Sequence, residues 1–237
     1  VISAAFINLK PGTTKTTSAI WLAAALHALG LRTLLVGADR GGSLERWAEE
    51  AGGFPWATLS IHRRSIGREL PQHVRQGKYE ALVVDCPQME DHADVAMGAM
   101  TACDTWIVPV APAGIEVDRT AMITPQMDAA DAIRPESAER LIFFTRTNRR
   151  ELAKSGVDLT TRETFEAAGL PVFIDQVPKN AKDDMFRASF GYVPDASGTA
   201  YESLARYLSL GGRDPHGFAE MVLAERREAR HAAVYGA

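Results

Sequence analysis

Residues 1–29 read VISAAFINLKPGTTKTTSAIWLAAALHAL, and three behaviours follow one another in that stretch. Val1–Asn8 is a continuous apolar run, the pattern of a strand buried on both faces of a parallel sheet. Thr16–Leu29 is long, rich in Ala and Leu and free of Gly and Pro, which predicts a helix. Leu9–Thr17 joins the two with one Pro, one Gly, two Lys and four Thr. A buried strand that feeds a helix through a short loop leaves the first-turn N–H groups without helical acceptors, at the positive end of the dipole. That junction is suited to an anion such as a phosphate.

The same unit recurs along the chain. Apolar, β-favouring runs follow at 32–38 (RTLLVGA), 81–86 (ALVVDC), 105–111 (TWIVPVA), 140–145 (RLIFFT) and 171–177 (PVFIDQV). Helical patterns lie between them at Asp91–Ala102, Glu116–Ile133 and Arg150–Ala168, and Pro125 is expected to kink or split the second of these. This alternation predicts an α/β fold, a doubly wound and mostly parallel sheet flanked by helices, with ligands at the carboxyl ends of the strands. At 237 residues the chain is expected to be one domain spanning 1–237, with 213–237 as a C-terminal helical extension. Pro215–Ala233 reads as its helix, with Phe218, Met221, Val222 and Leu223 near the start. Packing on the domain and binding a partner are both open for it.

Composition narrows the function. Apolar residues make up 46% and charged residues 24%, which excludes a disordered or fibrous chain. With 26 Lys and Arg against 30 Asp and Glu, the net charge of −4 excludes nucleic-acid binding through overall basicity and leaves only a local basic face. Cys86 and Cys103 match no CxxC or zinc spacing, so a reducing cytoplasm fits best. The longest apolar stretch, Ala19–Leu31, is broken by His27 and Gly30, and the sequence opens on VISAAFIN without a basic n-region, so no stable membrane association is expected. The six histidines form no HxxxH or HExxH pair and there is no GxSxG elbow, which leaves metalloprotease and serine-hydrolase chemistry without support.

The loop departs from the ordinary phosphate-binding pattern GxxxxGK[ST]: Leu9 and Thr14 occupy the glycine positions, while Lys15 and Thr16 stand where the phosphate lysine and the metal-ligating hydroxyl belong. A second lysine, Lys10, changes the reading. Lys10-Pro11-Gly12-Thr13-Thr14-Lys15-Thr16-Thr17 resembles the deviant Walker A motif KGGxGK[ST]T of the ParA/MinD family of P-loop ATPases. Four further segments follow in the family's order. GADRGGSL at 37–44 is similar to switch I (DxDPQGSL), and YEALVVDCPQ at 79–88 to Walker B and switch II (YDxxxxDxPP). CDTWIVPVAP at 103–112 is similar to ADxxxxPxxP, and VPKNAKDDMFRASFGYVPD at 177–195 to IPRNxxxxEAxxxGxPV. The resemblance covers roughly residues 1–208.

That resemblance implies ATP and Mg2+ as cofactors and a set of site residues. Gly12, Thr13, Thr14, Lys15, Thr16 and Thr17 form the phosphate loop, with Lys15 on the phosphates and Thr16 on Mg2+. Lys10 reaches the phosphates of the partner subunit in a homodimer. Asp85 holds Mg2+ through water, or alternatively caps a helix after its strand. Asp39 orients the attacking water or supports the metal, or alternatively serves the turn before Gly41-Gly42. Asn180 lies near the base, or alternatively supports its own loop. Pro11 removes one N–H donor and Thr14 places a β-branched residue where glycine is usual, so hydrolysis is expected to be slow unless the Thr13 or Thr14 hydroxyl replaces the donor. Gly37 and Arg40 replace the first acid and the proline of switch I.

The implied role is a ParA-like ATPase for plasmid or chromosome partition, dimerising with ATP, binding nonspecific DNA on the nucleoid and stimulated by a ParB-like adaptor. Two other readings are a degenerate regulatory or structural dimer with little or no ATP hydrolysis, and a MinD-like positioning ATPase. For DNA, Arg63, Arg64, Arg68, Arg75 and Lys78 between His62 and Lys78 form either a phosphate-contacting patch or the solvated face of an amphipathic helix. Arg146, Arg149, Arg150, Lys179, Lys182 and Arg187 are further candidates.

Overall fold

A computed structural model describes residues 1–112, 120, 122–148, 157–179 and 191–235. The strands are β1 (Ile2–Phe6), β2 (Thr33–Gly37), β3 (Ala57–Ser60), β4 (Ala81–Asp85), β5 (Thr105–Val110), β6 (Glu139–Thr147) and β7 (Val177–Pro178). They form one sheet in the order β3-β2-β4-β1-β5-β6-β7, with every pairing parallel. The helices are α1 (Lys15–Ala28), α2 (Ser43–Glu50), α3 (Ile66–Gly77), α4 (Met89–Thr101), α5 (Thr124–Asp131), α6 (Val157–Ala167), α7 (Ala200–Ser209) and α8 (Pro215–Tyr235).

Because side chains alternate along a strand, each central strand feeds two cores. Ala5 and Ile7 of the first run point to one face with Val84, Ile66, Leu70, Met100 and Met127. Ala4 and Phe6 point to the other with Trp21, Leu22, Trp47, Tyr201 and Phe218. α1 is buried almost all round, from Ser18 to Leu26, because it lies under both α2 and α7 as well as on the sheet. Its Ser18 shares a buried hydroxyl bond of 2.9 Å with Tyr201, whereas Trp21 Nε1 is buried without a hydrogen-bond partner.

Several expectations change. Pro125, expected to kink or split the helix over 116–133, lies at a break in it: residue 120 is helical, 122–123 form a turn, and α5 starts at Thr124 with Pro125 in its first turn, where its missing N–H has no helical acceptor to lose. Residues 116–119 and 121 of that expected helix, and 150–156 of the next, lie outside the described residues. The run 171–177 contributes only Val177–Pro178 and a bridge from Val172 to Ile142, because Arg162 takes the carbonyls of Val172 and Phe173 and the chain leaves the ladder there. β3, α2 and α7 were not anticipated; β3 is a short edge strand that alternates exposed and half-buried residues. α8 buries Phe218 and Val222, with Phe218 against Tyr207 of α7 and Phe173, while its residues from Leu223 to Ala233 are exposed.

Candidate functional site

β1 lies between β4 and β5, where the chain's crossovers reverse direction, so the carboxyl end of β1 opens on the crevice of the sheet. Asn8 fixes the loop that leaves it. Its Nδ2 donates to the Pro109 carbonyl of β5 at 3.0 Å, its Oδ1 accepts from Lys10 N at 3.3 Å, and its own carbonyl accepts from Met89 N at the start of α4. The loop is thereby tied to two strands and the following helix before it reaches α1.

Two residues in the loop have left-handed backbones: Gly12 at φ 71° and Thr14 at φ 67°, ψ 14°. A β-branched residue there is strained, and Thr14 is held by a bond of 3.2 Å between its Oγ1 and that of Thr145 on β6. Thr14 caps α1 only through its backbone, and the first turn of α1 contains no acid. Space is open where Gly12 would carry a Cβ. The Thr13 Oγ1 donates to the Lys10 carbonyl at 3.3 Å, so both threonine hydroxyls are engaged on the protein in the ligand-free chain.

Lys15 is 7% exposed, and its Nζ donates to the Lys10 carbonyl at 3.0 Å across the loop. Burial lowers the pKa of its ammonium, against the opposing charges of Asp85 and Asp39. Asp85 ends β4, is 1% exposed, and has a buried Oδ1 without a hydrogen-bond partner. Burial pushes its carboxyl up to about 7; a hydrogen bond from Thr16 and the charge of Lys15 act against this, and the charges of Asp39 and Glu45 add to it. Lys15, Thr16, Asp85 and Asp39 are therefore gathered at one end of the sheet. Asp39 also accepts the Gly41 N–H at 3.0 Å, the turn role allowed for it. Thr17 is half-buried in the first turn of α1. Lys10 is on the rim, 3.8 Å from Glu90. Asn180 lies outside the described residues, as do Arg149, Arg150, Lys182 and Arg187.

An orphaned buried carboxylate oxygen beside a buried ammonium, a hydroxyl and an uncapped helix N-terminus fits a hydrated divalent cation with phosphates. Among the described residues no three His, Cys, Asp or Glu converge on a metal by themselves, so phosphate oxygens and water complete any such site.

Sequence reasoning missed three residues here. Asn8 appeared only as the end of a strand, although a polar residue closing an apolar run was a visible signal. Arg146, grouped with the DNA candidates, donates to the Gly12 carbonyl at 2.6 Å and has a left-handed backbone at φ 54°. Glu45, in the first turn of α2, bonds Ser60 at the end of β3 and lies 3.8 Å from His62. The expected patch at His62–Lys78 is the amphipathic helix α3: Ile66, Leu70 and Val74 are buried, Arg63 pairs with Glu69 and Arg64 with Asp94. Arg68, Arg75 and Lys78 stay exposed.

No family model matches the chain. It is 32% identical over 169 residues to the maintenance of carboxysome distribution protein A of Gloeobacter kilaueensis, covering 71% of this chain and 73% of that protein. Among solved structures, cobyrinic acid a,c-diamide synthase of Mycobacterium smegmatis with a bound ATP analogue and magnesium superposes with a TM-score of 0.68 at 19% identity, over 88% of this chain and 94% of that one. The MinC:MinD cell division complex of Aquifex aeolicus gives 0.67 at 16% identity, over 90% and 97%.

Proposed function

We propose that this chain, which belongs to the ParA/MinD family of P-loop ATPases, is a positioning ATPase that dimerises around Mg–ATP and releases its hold on hydrolysis. The observation that carries the reading is the buried Lys15 ammonium behind a strained loop, set against an Asp85 carboxylate with an oxygen unpartnered. Lys15 would bind the β and γ phosphates as a point charge, with the N–H groups of Gly12–Thr17 around them. Thr16 and Asp85 would hold Mg2+, which when bound neutralises the charge that develops on the transferred phosphoryl oxygens. Asp39 would orient the attacking water. Lys10, half-exposed on the rim and 3.8 Å from Glu90, would swing toward a partner subunit's phosphates.

Nucleotide binding first requires the Lys15 Nζ to leave the Lys10 carbonyl. Pro11 offers no N–H and both loop threonines are engaged, so the site has fewer donors than a glycine-rich loop and turnover is slow. Each dimer would present Arg68, Arg75 and Lys78 twice, enough for salt-sensitive contact with DNA phosphates and no sequence reading. Cargo would be chosen through an adaptor of ParB type; a plasmid or chromosome is one such cargo, and the name of the curated relative carries another. A membrane-surface role has less support. No described helix is long and apolar enough to cross a membrane, and the exposed part of α8 mixes Glu225 and Glu228 with its arginines.

Calorimetric titration with ATP and Mg2+ tests the site. Wild type is expected to bind and Lys15→Ala to give no heat of binding. Equal heats for the two proteins would refute the assignment, and no heat for either would favour the degenerate dimer.

A further inference from the structure

The first acid of switch I is missing at Gly37, yet the space that its side chain would fill is not empty. A Cβ built on Gly37 would stand 2.9 Å from Glu45 Oε1 and 3.7 Å from Oε2. Gly37 is the last residue of β2 and is in register with Asp85 on one side and Ser60 on the other. The Glu45 carboxylate thus lies over the ends of three adjacent strands. It arrives there from the third residue of α2, whose N-cap Gly42 has a left-handed backbone that turns the helix back over the sheet. Ser60 and His62 hold Oε1, and Oε2 is buried without a hydrogen-bond partner. Asp85 Oδ1, on the neighbouring strand, is likewise buried and unpartnered. Two unpartnered carboxylate oxygens at one end of a sheet call for donors from outside the chain, since buried charges that are neither paired nor hydrated are costly.

We propose that Glu45 is the displaced switch I acid: its carboxylate fills the volume vacated at Gly37 and, with Asp85, holds the water shell of the divalent cation that accompanies the nucleotide. The inference rests on the Mg-nucleotide reading above. Mg2+ keeps several of its waters and is bound by one or two carboxylates plus phosphates, so an acid of this kind acts through water. Glu45 is a positioning residue in this account. The volume argument also couples the two positions: a side chain at position 37 displaces the Glu45 carboxylate from its place beside Ser60.

Two measurements test it. In the first, a fluorescent ADP analogue is titrated at fixed Mg2+ concentrations. Glu45→Gln should raise the Mg2+ concentration for half-maximal enhancement of nucleotide affinity by about 10- to 100-fold, the usual effect of losing an outer-shell partner. Affinity without Mg2+ should stay within about twofold of wild type, and Glu49→Gln, exposed on the same helix, should not shift the Mg2+ curve. The second is thermal unfolding of the ligand-free protein. Gly37→Asp alone should lower Tm through the clash, and Gly37→Asp with Glu45→Ala should recover most of it and restore the Mg2+ response. Wild type binding with a Mg2+ curve that Glu45→Gln leaves unmoved overturns this inference alone. Wild type that binds no nucleotide overturns the Mg-nucleotide reading and this inference with it. A double variant no more stable than Gly37→Asp overturns the volume exchange.

Discussion

Thr14 is the place where the loop's geometry can be weighed against its chemistry. Its backbone, at φ 67° and ψ 14°, costs an L-residue about 1–2 kcal/mol, while the buried Oγ1 bond to Thr145 returns about 1 kcal/mol. Replacing Thr14 by Ala or by Gly removes the same hydroxyl and leaves the same Thr145 oxygen, so the difference between the two variants isolates the backbone. Glycine escapes the left-handed penalty but has about 0.5–1 kcal/mol more unfolded-chain entropy to lose. The balance is about 1 kcal/mol in favour of Thr14→Gly, whereas in a helix interior alanine leads by about the same amount. Urea unfolding, compared at equal m-values, measures it; Tm should differ by about 2–4 °C in a chain of this size. An alanine variant as stable as the glycine variant would refute the strained loop and the reading of Thr14 as a position that glycine fits better.

The same loop makes further predictions. Pro11→Gly with Thr14→Gly should tighten ATP binding about tenfold by restoring a donor, and a weaker calorimetric affinity would mean that this loop uses its own geometry. Arg146→Ala frees the Gly12 carbonyl and should weaken nucleotide binding severalfold, with Tm changed by no more than about 2 °C because the contact is exposed; an unchanged affinity would remove Arg146 from the site. Asp85 gives a pH dependence with a definite sign. Its carboxyl rises from 3.8 in the unfolded chain to about 7, so the native state binds the extra proton and ligand-free stability falls as pH rises from about 4 to 7. The fall has an upper bound on the order of 4 kcal/mol, and Asp85→Asn should flatten that part of a Tm-against-pH curve. An Asp85→Asn curve parallel to the wild-type one through this window would contradict the buried, orphaned carboxylate.

The central strands and α1 were legible because burial on both faces writes itself as unbroken apolar runs such as ALVVDC and TWIVPVA. The edges were not. β3 is half-exposed and short, β7 is two residues long, and neither has a period to read. α2 and α7 are brief amphipathic helices whose buried residues, such as Trp47 or Leu204, are too few to announce a turn count. The convergence of Lys15, Thr16, Asp39 and Asp85 at one end of the sheet was legible because motif spacing maps directly onto strand–loop–helix geometry. Glu45 and Arg146 were beyond that reach: one acts across the space over Gly37, the other across 134 positions of chain to Gly12, and no local pattern encodes either contact. Thr14 shows the converse, since its departure from glycine was visible but its partner on β6 was not.

In the proposed mechanism, nucleotide held at Lys15 brings two copies of the chain together, with Lys10 completing the partner's site. Light scattering measures it on one protein in three states: ligand-free, with Mg–ADP and with Mg–ATP, for wild type and Lys10→Ala. Mass should double from 25.7 kDa only for wild type with Mg–ATP, while Lys10→Ala binds nucleotide within a few-fold of wild type and stays monomeric. A Lys10→Ala protein that dimerises with ATP as wild type does, or a wild type whose mass ignores ATP, would contradict the account.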